Sequence, residues 1–294
     1  MSKLLCLGMG YSCKIVAQRI ASAGWHVIGT SRTQVGADAI SAEGYGGLVF
    51  DGNVSNVELD KAITTATHIV VSAPPDAQGD PVLRVLHDRL AASSRLRWLG
   101  YLSTIGVYGD WGGAWVDEET PPRPVQERAL RRLAIEQAWL DLGNITGVAT
   151  QIFRIGGIYG PGRNVLEDLL EGTARRIVKP GQVFNRIHVY DMAQSIIAAM
   201  NRGRAGRIYN LTDCQPTSSE EVLLYAARLL KMTPPEPILF ENAVLSPMAA
   251  NFYIDNRRVR NQRLLDELQV TLMYNDYQAG LTDIFRGLHL DSKP

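Results

Sequence analysis

The sequence predicts an α/β fold, a doubly wound parallel sheet with a smaller, mainly helical C-terminal domain. Short apolar runs without in-out alternation alternate with helical patterns through the first 155 or so residues, as strands covered on both faces require. A glycine-rich turn separates the first run from the first helix, and the alternating rhythm breaks after about residue 160.

In chain order, "KLLCLG" reads as the first strand and "KIVAQRIASAG" as its helix. "HVIGTS" is the second strand, followed by a helix near "DAISAE", the strand "GLVFD", the helix "VELDKAITTA" and the strand "HIVVSA". The series continues as helix "PVLRVLHDRLAAS", strand "LRWLGYLS", helix "VQERALRRLAIEQAWLDLG" and strand "GVATQIFRI". Beyond it, "GPGRN" is a loop and "VLEDLLEGTAR" a helix. "RIHV" and "RIYNLTD" are short strands around the helix "MAQSIIAAMN". Ser218 and Ser219, with Glu220 and Glu221 in the first turn, start the helix "SSEEVLLYAARLL", and the Pro-rich "TPPEP" precedes a mainly helical tail. The division is a dinucleotide-binding domain over 1–160, with a late return near 187–213, and a substrate domain over 161–294. No solenoid or propeller repeat interrupts it.

With 294 residues, 46% hydrophobic and 20% charged, the chain can bury a large core, and its zero formal net charge gives no pull toward nucleic acid or anionic lipid. A small molecule is the expected partner. Cys6, Cys13 and Cys214 lack ligand spacing, so no metal site is expected and a reducing cytoplasm is the expected compartment. The N-terminal apolar run is short for a signal peptide, and no stretch reaches the ~20 apolar residues of a membrane span.

Gly8, Gly10 and Cys13 occupy the three positions of a G-x-G-x-x-G turn that follows a strand and opens a helix. Gly8 permits the tight turn, and Gly10 lets backbone approach a pyrophosphate. The amides of Tyr11, Ser12 and Cys13 begin the helix whose N-terminus favours an anion. Cys13 is larger than the usual glycine, so a looser helix-on-strand contact is expected. The alternative is a tight turn without a ligand. About 20 residues on, "VIGTSR" offers Thr30, Ser31 and Arg32 instead of an acid for a ribose hydroxyl. Two hydroxyls and a guanidinium favour NADP over NAD, unless Arg32 is a plain surface charge. Asp51 either accepts from adenine or starts the turn "DGN". Ser72, Ala73 and Pro74 end the fourth strand where a cofactor would cross the sheet edge.

With its first-turn glycines, "LSTIGVYGD", "FRIGGIYGPGR", "RIHVYDMA" and "YNLTD" followed by Pro216, the chain resembles the extended short-chain dehydrogenase/reductase family, of the nucleoside-diphosphate-sugar epimerase/dehydratase type, over nearly its whole length. The resemblance implies a Rossmann-type fold and a substrate such as a sugar nucleotide. It makes Thr104 the residue that donates to a reacting carbonyl. The family places Tyr-x-x-x-Lys on the next helix. With Glu136 as the glutamate of that helix, Arg128 stands at the tyrosine and Arg132 at the lysine.

A guanidinium stays protonated and cannot move a proton, although Arg132 can still donate to ribose hydroxyls. The alternative for both arginines is a solvated helix face on which Arg132 pairs with Glu136. Tyr108, Tyr159 and Tyr190 are candidate replacement acids, each also a packing residue, and His188 fits a structural role on an apolar strand. Trp111 and Trp115 either wall a pocket or fold their loop onto the core; Arg163 in "GPGR" holds a phosphate or belongs to a turn. Glu118 and Glu119 read as solvated. The function expected is an atypical NADP-dependent oxidoreductase or epimerase, the alternative being an NADP-binding sensor without turnover. Relatives dimerise through the helix holding Arg128, which makes a homodimer the expectation by resemblance.

Overall fold

The computed structural model describes residues 2–290. The chain begins with β1 (Lys3–Leu7), α1 (Tyr11–Ser22), β2 (His26–Ser31), α2 (Gln34–Ala42), β3 (Gly46–Val49), α3 (Val57–Thr65), β4 (His68–Val71), α4 (Pro81–Ala91) and β5 (Trp98–Thr104). A 3-10 turn (Ile105–Tyr108) and the short β6 (Trp115–Val116) lead to α5 (Glu127–Thr146) and β7 (Ala149–Ile155). Then come β8 (Gly157–Tyr159), α6 (Val165–Leu170), β9 (Arg176–Val178), β10 (Arg186–His188), α7 (Val189–Arg202) and β11 (Ile208–Leu211). The tail carries α8 (Ser219–Leu230), β12 (Pro237–Leu239), α9 (Pro247–Asn251), β13 (Arg258–Val259), α10 (Gln262–Asp266) and α11 (Tyr277–Leu290).

Seven parallel strands form the main sheet in the order β11-β7-β5-β4-β1-β2-β3. The chain steps outward from β1 to β3 and then returns to β4 on the other side of β1. That reversal opens a crevice at the carboxyl ends of β1 and β4, where ligands of open α/β sheets bind. Both faces are covered, which is why the strands read as unbroken apolar runs. On one face α1 (Val16, Ala17, Ile20) packs beside α7 (Met192, Ile196, Ala199). On the other, α3 (Leu59, Ile63), α4 (Leu86, Leu90) and α5 (Ile135, Trp139) share a second core.

The return strand is β11, paired with β7 from Ile208↔Ile152 to Leu211↔Ile155. "RIHV" instead contributes β10 to a two-stranded sheet with β8. Two more parallel pairs, β9 with β12 and β6 with β13, add strand to a region expected to be mainly helical. A third core joins α6, α8 and α11 around Tyr159 and Tyr277. At the sheet edge, the Asn210 amide of β11 donates to the Glu118 carboxylate at 2.8 Å. Glu118 is therefore a cap on an edge strand, not the solvated loop residue its sequence neighbours suggest. Burial raises its pKa above the usual carboxylate range.

The sheet also contains a buried ion pair. Arg154 on β7 donates to Glu136 on α5 through Nη2 at 2.8 Å and Nε at 3.1 Å, with both side chains at most 3% exposed. Ser103 on β5 donates to the same carboxylate at 2.5 Å. Glu136 is thus engaged with the sheet and not with Arg132. Removing one member of a buried pair leaves the other charge without compensation. Glu136→Gln is expected to lower the unfolding free energy by about 3–5 kcal/mol, whereas Glu136→Leu combined with Arg154→Met costs less than either of those two changes alone; urea titrations of the four variants check the order.

Candidate functional site

The first turn needs glycine at one position for geometry and at another for access. Gly8 has φ +94°, and a Cβ there would lie 2.7 Å from the Ala73 amide nitrogen. The turn thus packs directly on the end of β4, and the Ser72 and Ala73 amides both donate to the Leu7 carbonyl at 2.9 Å. Gly10 precedes α1, is exposed, and has open space where a Cβ would stand. No side chain caps α1, so its first amides face the crevice as an anion site requires. Cys13 is fully buried against Val16, Ala17 and Cys6, so its side chain packs and only its backbone is available to a ligand.

At the end of β2 the polar residues divide. The Thr30 hydroxyl accepts from the Gly8 amide at 2.9 Å and the side chain is buried, so it braces the turn. The Ser31 hydroxyl lies against the first turn of α2, where Thr33 caps the Gly36 amide. Arg32 is exposed and, among the described residues, makes no hydrogen bond or ion pair. Asp51 closes the turn after β3. The Asn53 backbone and side-chain amides donate to it and hold its carboxyl below the usual range. Pro74 is exposed at the crevice rim. The residues present fit a dinucleotide, with open amides at one end and a free guanidinium at the other.

Across the crevice, Thr104 ends β5 half-buried. Its Oγ1 accepts from the Gly106 amide at 3.1 Å, which leaves its proton available to donate. Arg132 is half-buried and fixed against β5, donating through Nη1 to the Tyr101 hydroxyl at 2.9 Å and the Leu102 carbonyl at 3.2 Å. Arg128, one turn earlier, is exposed.

The hydroxyls of two of the three candidate tyrosines, Tyr108 and Tyr159, are committed to partners inside the protein. Tyr108 is fully buried and donates to Asn210 Oδ1 at 2.8 Å; the Arg154 guanidinium lies over its ring, and burial pushes its pKa up to about 12. Tyr159 donates to the Asp276 carbonyl at 3.4 Å in the third core. Tyr190 packs half-buried under Arg19. His188 is the N-cap of α7, its Nδ1 accepting from the Tyr190 amide, and burial drives its pKa down to about 4.

Trp111 folds its end of the loop onto the cluster around Ile105 and Tyr108, whereas Trp115 on β6 stays exposed under Arg260. The Trp111 indole donates to the Tyr108 carbonyl at 2.9 Å, and Arg123 stacks on its ring at 3.6 Å. Arg163 lies exposed over the Tyr11 ring, and the Tyr11 hydroxyl donates to the Pro161 carbonyl at 3.1 Å. That contact ties the glycine-rich turn to the loop after β8, a link the sequence does not announce. A separate cavity of about 370 Å³ is lined by Lys179, Phe184, Ser219, Tyr253 and Arg258. Sequence reasoning missed these residues because they come from four separate segments. Only Ser219, at the start of α8, carried a local signal, and that signal was for a helix start.

A family model described as the NAD dependent epimerase/dehydratase family matches residues 8–212. The chain is similar to Protein YeeZ of Escherichia coli (strain K12), 28% identical over 291 residues that cover 89% of this chain and 94% of that protein. It is also similar to a functionally unknown conserved protein from Silicibacter pomeroyi DSS, at 42% identity and TM-score 0.89 over 98% and 99% of the two chains. A likeness of fold extends to a dTDP-glucose 4,6-dehydratase from Bacillus anthracis str. Ames in complex with NAD, at 18% identity and TM-score 0.79 over 99% and 97%. No described helix is long and apolar enough to cross a membrane.

Gly8→Ala is expected to destabilise the protein by about 2–3 kcal/mol through strain and the clash with Ala73. Gly10→Ala should stay within about 0.5 kcal/mol of the parent while weakening dinucleotide binding more than about tenfold; thermal melts with and without coenzyme separate the two. His188 and His68 both have pKa values depressed to about 4 by burial, against about 6.5 unfolded. Their neutral forms favour the folded state above pH 6.5, and that contribution is lost as pH falls through 6.5 toward 4. In urea titrations His188→Asn should flatten part of this acid slope.

Proposed function

The chain belongs to the NAD-dependent epimerase/dehydratase family, and from that premise we propose that it is an NADP-binding oxidoreductase or epimerase-like protein acting on a small carbonyl compound. A sugar nucleotide is the leading substrate class. The observation that carries this reading is the pairing, at one crevice, of the open α1 amides beside Gly10 with the unpartnered Arg32 at the end of β2. The amides of Tyr11, Ser12 and Cys13 hold the pyrophosphate, and Ser31 and Arg32 hold the 2′-phosphate. Asp51 receives the adenine amino group; Ser72, Ala73 and Pro74 floor the crossing. Residues 1–160 with β11 form the coenzyme domain, and residues 161–294 bring the substrate.

When bound, the nicotinamide supplies hydride chemistry. The chain's part is to orient and polarise: Thr104 donates a hydrogen bond to the carbonyl oxygen, and Arg132 presents to the bound ligand the N–H groups that β5 leaves free. Tyr108 does not serve as the acid, because its proton is committed to Asn210 and its pKa is pushed up to about 12.

That same absence favours a second reading, an NADP-binding sensor without turnover. Guanidinium groups stand where the family's proton donor and its lysine belong. NADPH mixed with a panel of sugar nucleotides, aldehydes and ketones decides between them: substrate-dependent loss of absorbance at 340 nm supports the enzyme, and binding without turnover across the panel supports the sensor. For coenzyme choice, Arg32→Asp should weaken NADP about 10- to 100-fold, the worth of one or two charge-assisted hydrogen bonds. NAD should change by less than about threefold; equal losses for both coenzymes in calorimetry would remove the assignment.

A further inference from the structure

The stripe Arg128, Arg132, Glu136 runs along one side of α5 at four-residue steps, so its members lie above one another. Glu136 is buried in the sheet, Arg132 is half-buried at the carbonyl of Leu102, and Arg128 is exposed. The stripe therefore climbs out of the sheet toward its carboxyl end, covering about 12 Å over eight residues at 1.5 Å per residue. Helical side chains lean toward the N-terminus, which carries both guanidinium groups further out over the end of β5 and Thr104.

The nearby acids are already engaged. Glu136 is held by Arg154, and Glu127 by Arg131, which also donates to the Asp76 carbonyl. Asp80 is the remaining carboxylate whose field reaches Arg132. It caps α4 through the Val82 amide and accepts from the Trp139 indole, so it is buried and satisfied without the arginine. Among the described residues, neither Arg128 nor Arg132 has a carboxylate partner. Arg132 uses only Nη1 for its anchors, so its Nε and Nη2 edge is intact, and the whole fork of Arg128 is free.

We infer that Arg128 and Arg132 form an anion site beside Thr104, and that the ligand is a small carbonyl compound bearing a carboxylate or phosphate next to its carbonyl group. Two planar forks on one stripe match the paired oxygens of such an anion, and the Thr104 proton is free for the neighbouring carbonyl oxygen. This rests on the crevice being the substrate site of the proposed function, and it replaces a neutral sugar ring at that point with an anionic group.

Titration calorimetry with and without saturating NADPH tests it, using 2-oxobutanoate, dihydroxyacetone phosphate and the uncharged 2-pentanone. At least one anionic probe should bind, and 2-pentanone at least about tenfold more weakly; which anion binds identifies carboxylate or phosphate. Arg128→Gln should weaken that probe about tenfold and Arg132→Gln about 10- to 100-fold, while Arg132→Lys keeps the charge, loses the fork and falls between. NADPH affinity of Arg128→Gln should equal that of the parent protein. Equal binding of charged and uncharged probes, no binding of either anion, or parental affinity in both glutamine variants overturns the inference. Arginine-dependent anion binding in a protein that does not bind NADPH would uphold it and sink the coenzyme reading instead.

Discussion

The arrangement of the crevice depends on the ion pair between Arg154 and Glu136. Each charge, nearly excluded from water, would be several kcal/mol out of place alone, so neither can leave the other. The pair locks α5 to β7, and through Ser103 to β5. The Arg154 guanidinium also lies over the Tyr108 ring, whose hydroxyl is bonded to Asn210 on β11. Three strands and a helix are thus fixed against one another immediately beneath Thr104. The role proposed for Thr104, polarising a carbonyl, requires it to be held to within a fraction of an ångström. Here that rigidity comes from the layer under it.

The same pair explains the character of the helix face above it. On an isolated helix Glu136 would pair with Arg132 four residues earlier for a few tenths of a kcal/mol. Inside the protein it satisfies Arg154, whose burial without a carboxylate would cost far more. The buried pair prevails, and Arg132 is left to anchor on a carbonyl and a hydroxyl. One consequence of burying Glu136 is therefore a surplus of positive charge at the mouth of the crevice.

Much of the fold was legible in the sequence because it depends on residues close together along the chain. Unbroken apolar runs announce strands covered on both faces, and Gly8 announces a turn too tight for a Cβ. What could not be read was long-range. Thr30 looks like a phosphate ligand but braces Gly8 twenty-two residues away. Glu118 looks solvated but caps an edge strand ninety-two residues on. Tyr108 looks like a spare acid until Asn210, on β11, is seen to accept its hydrogen bond. In each case a polar side chain had two possible partners, water or a distant backbone or side chain. Only the three-dimensional path of the chain selects between them. The cavity around Phe184 and Tyr253 was hidden for the same reason, being assembled from segments with no shared periodicity.

The loss of Tyr-x-x-x-Lys weighs less against chemistry than it first looks. A positioned general acid contributes about 10²- to 10⁴-fold, while orientation and fixed electrostatic stabilisation contribute as much or more. Two permanent cations next to a carbonyl oxygen cannot deliver a proton, but they stabilise negative charge developing there, and an open crevice leaves the proton to water. An anionic substituent on the substrate would use those cations for binding instead. Their effect on the transition state would then be shared with the ground state, raising affinity more than rate. The replacement is therefore coherent for a protein selected to hold a charged ligand tightly beside its coenzyme and to turn it over slowly, and incoherent for one selected to move neutral sugar hydroxyls quickly.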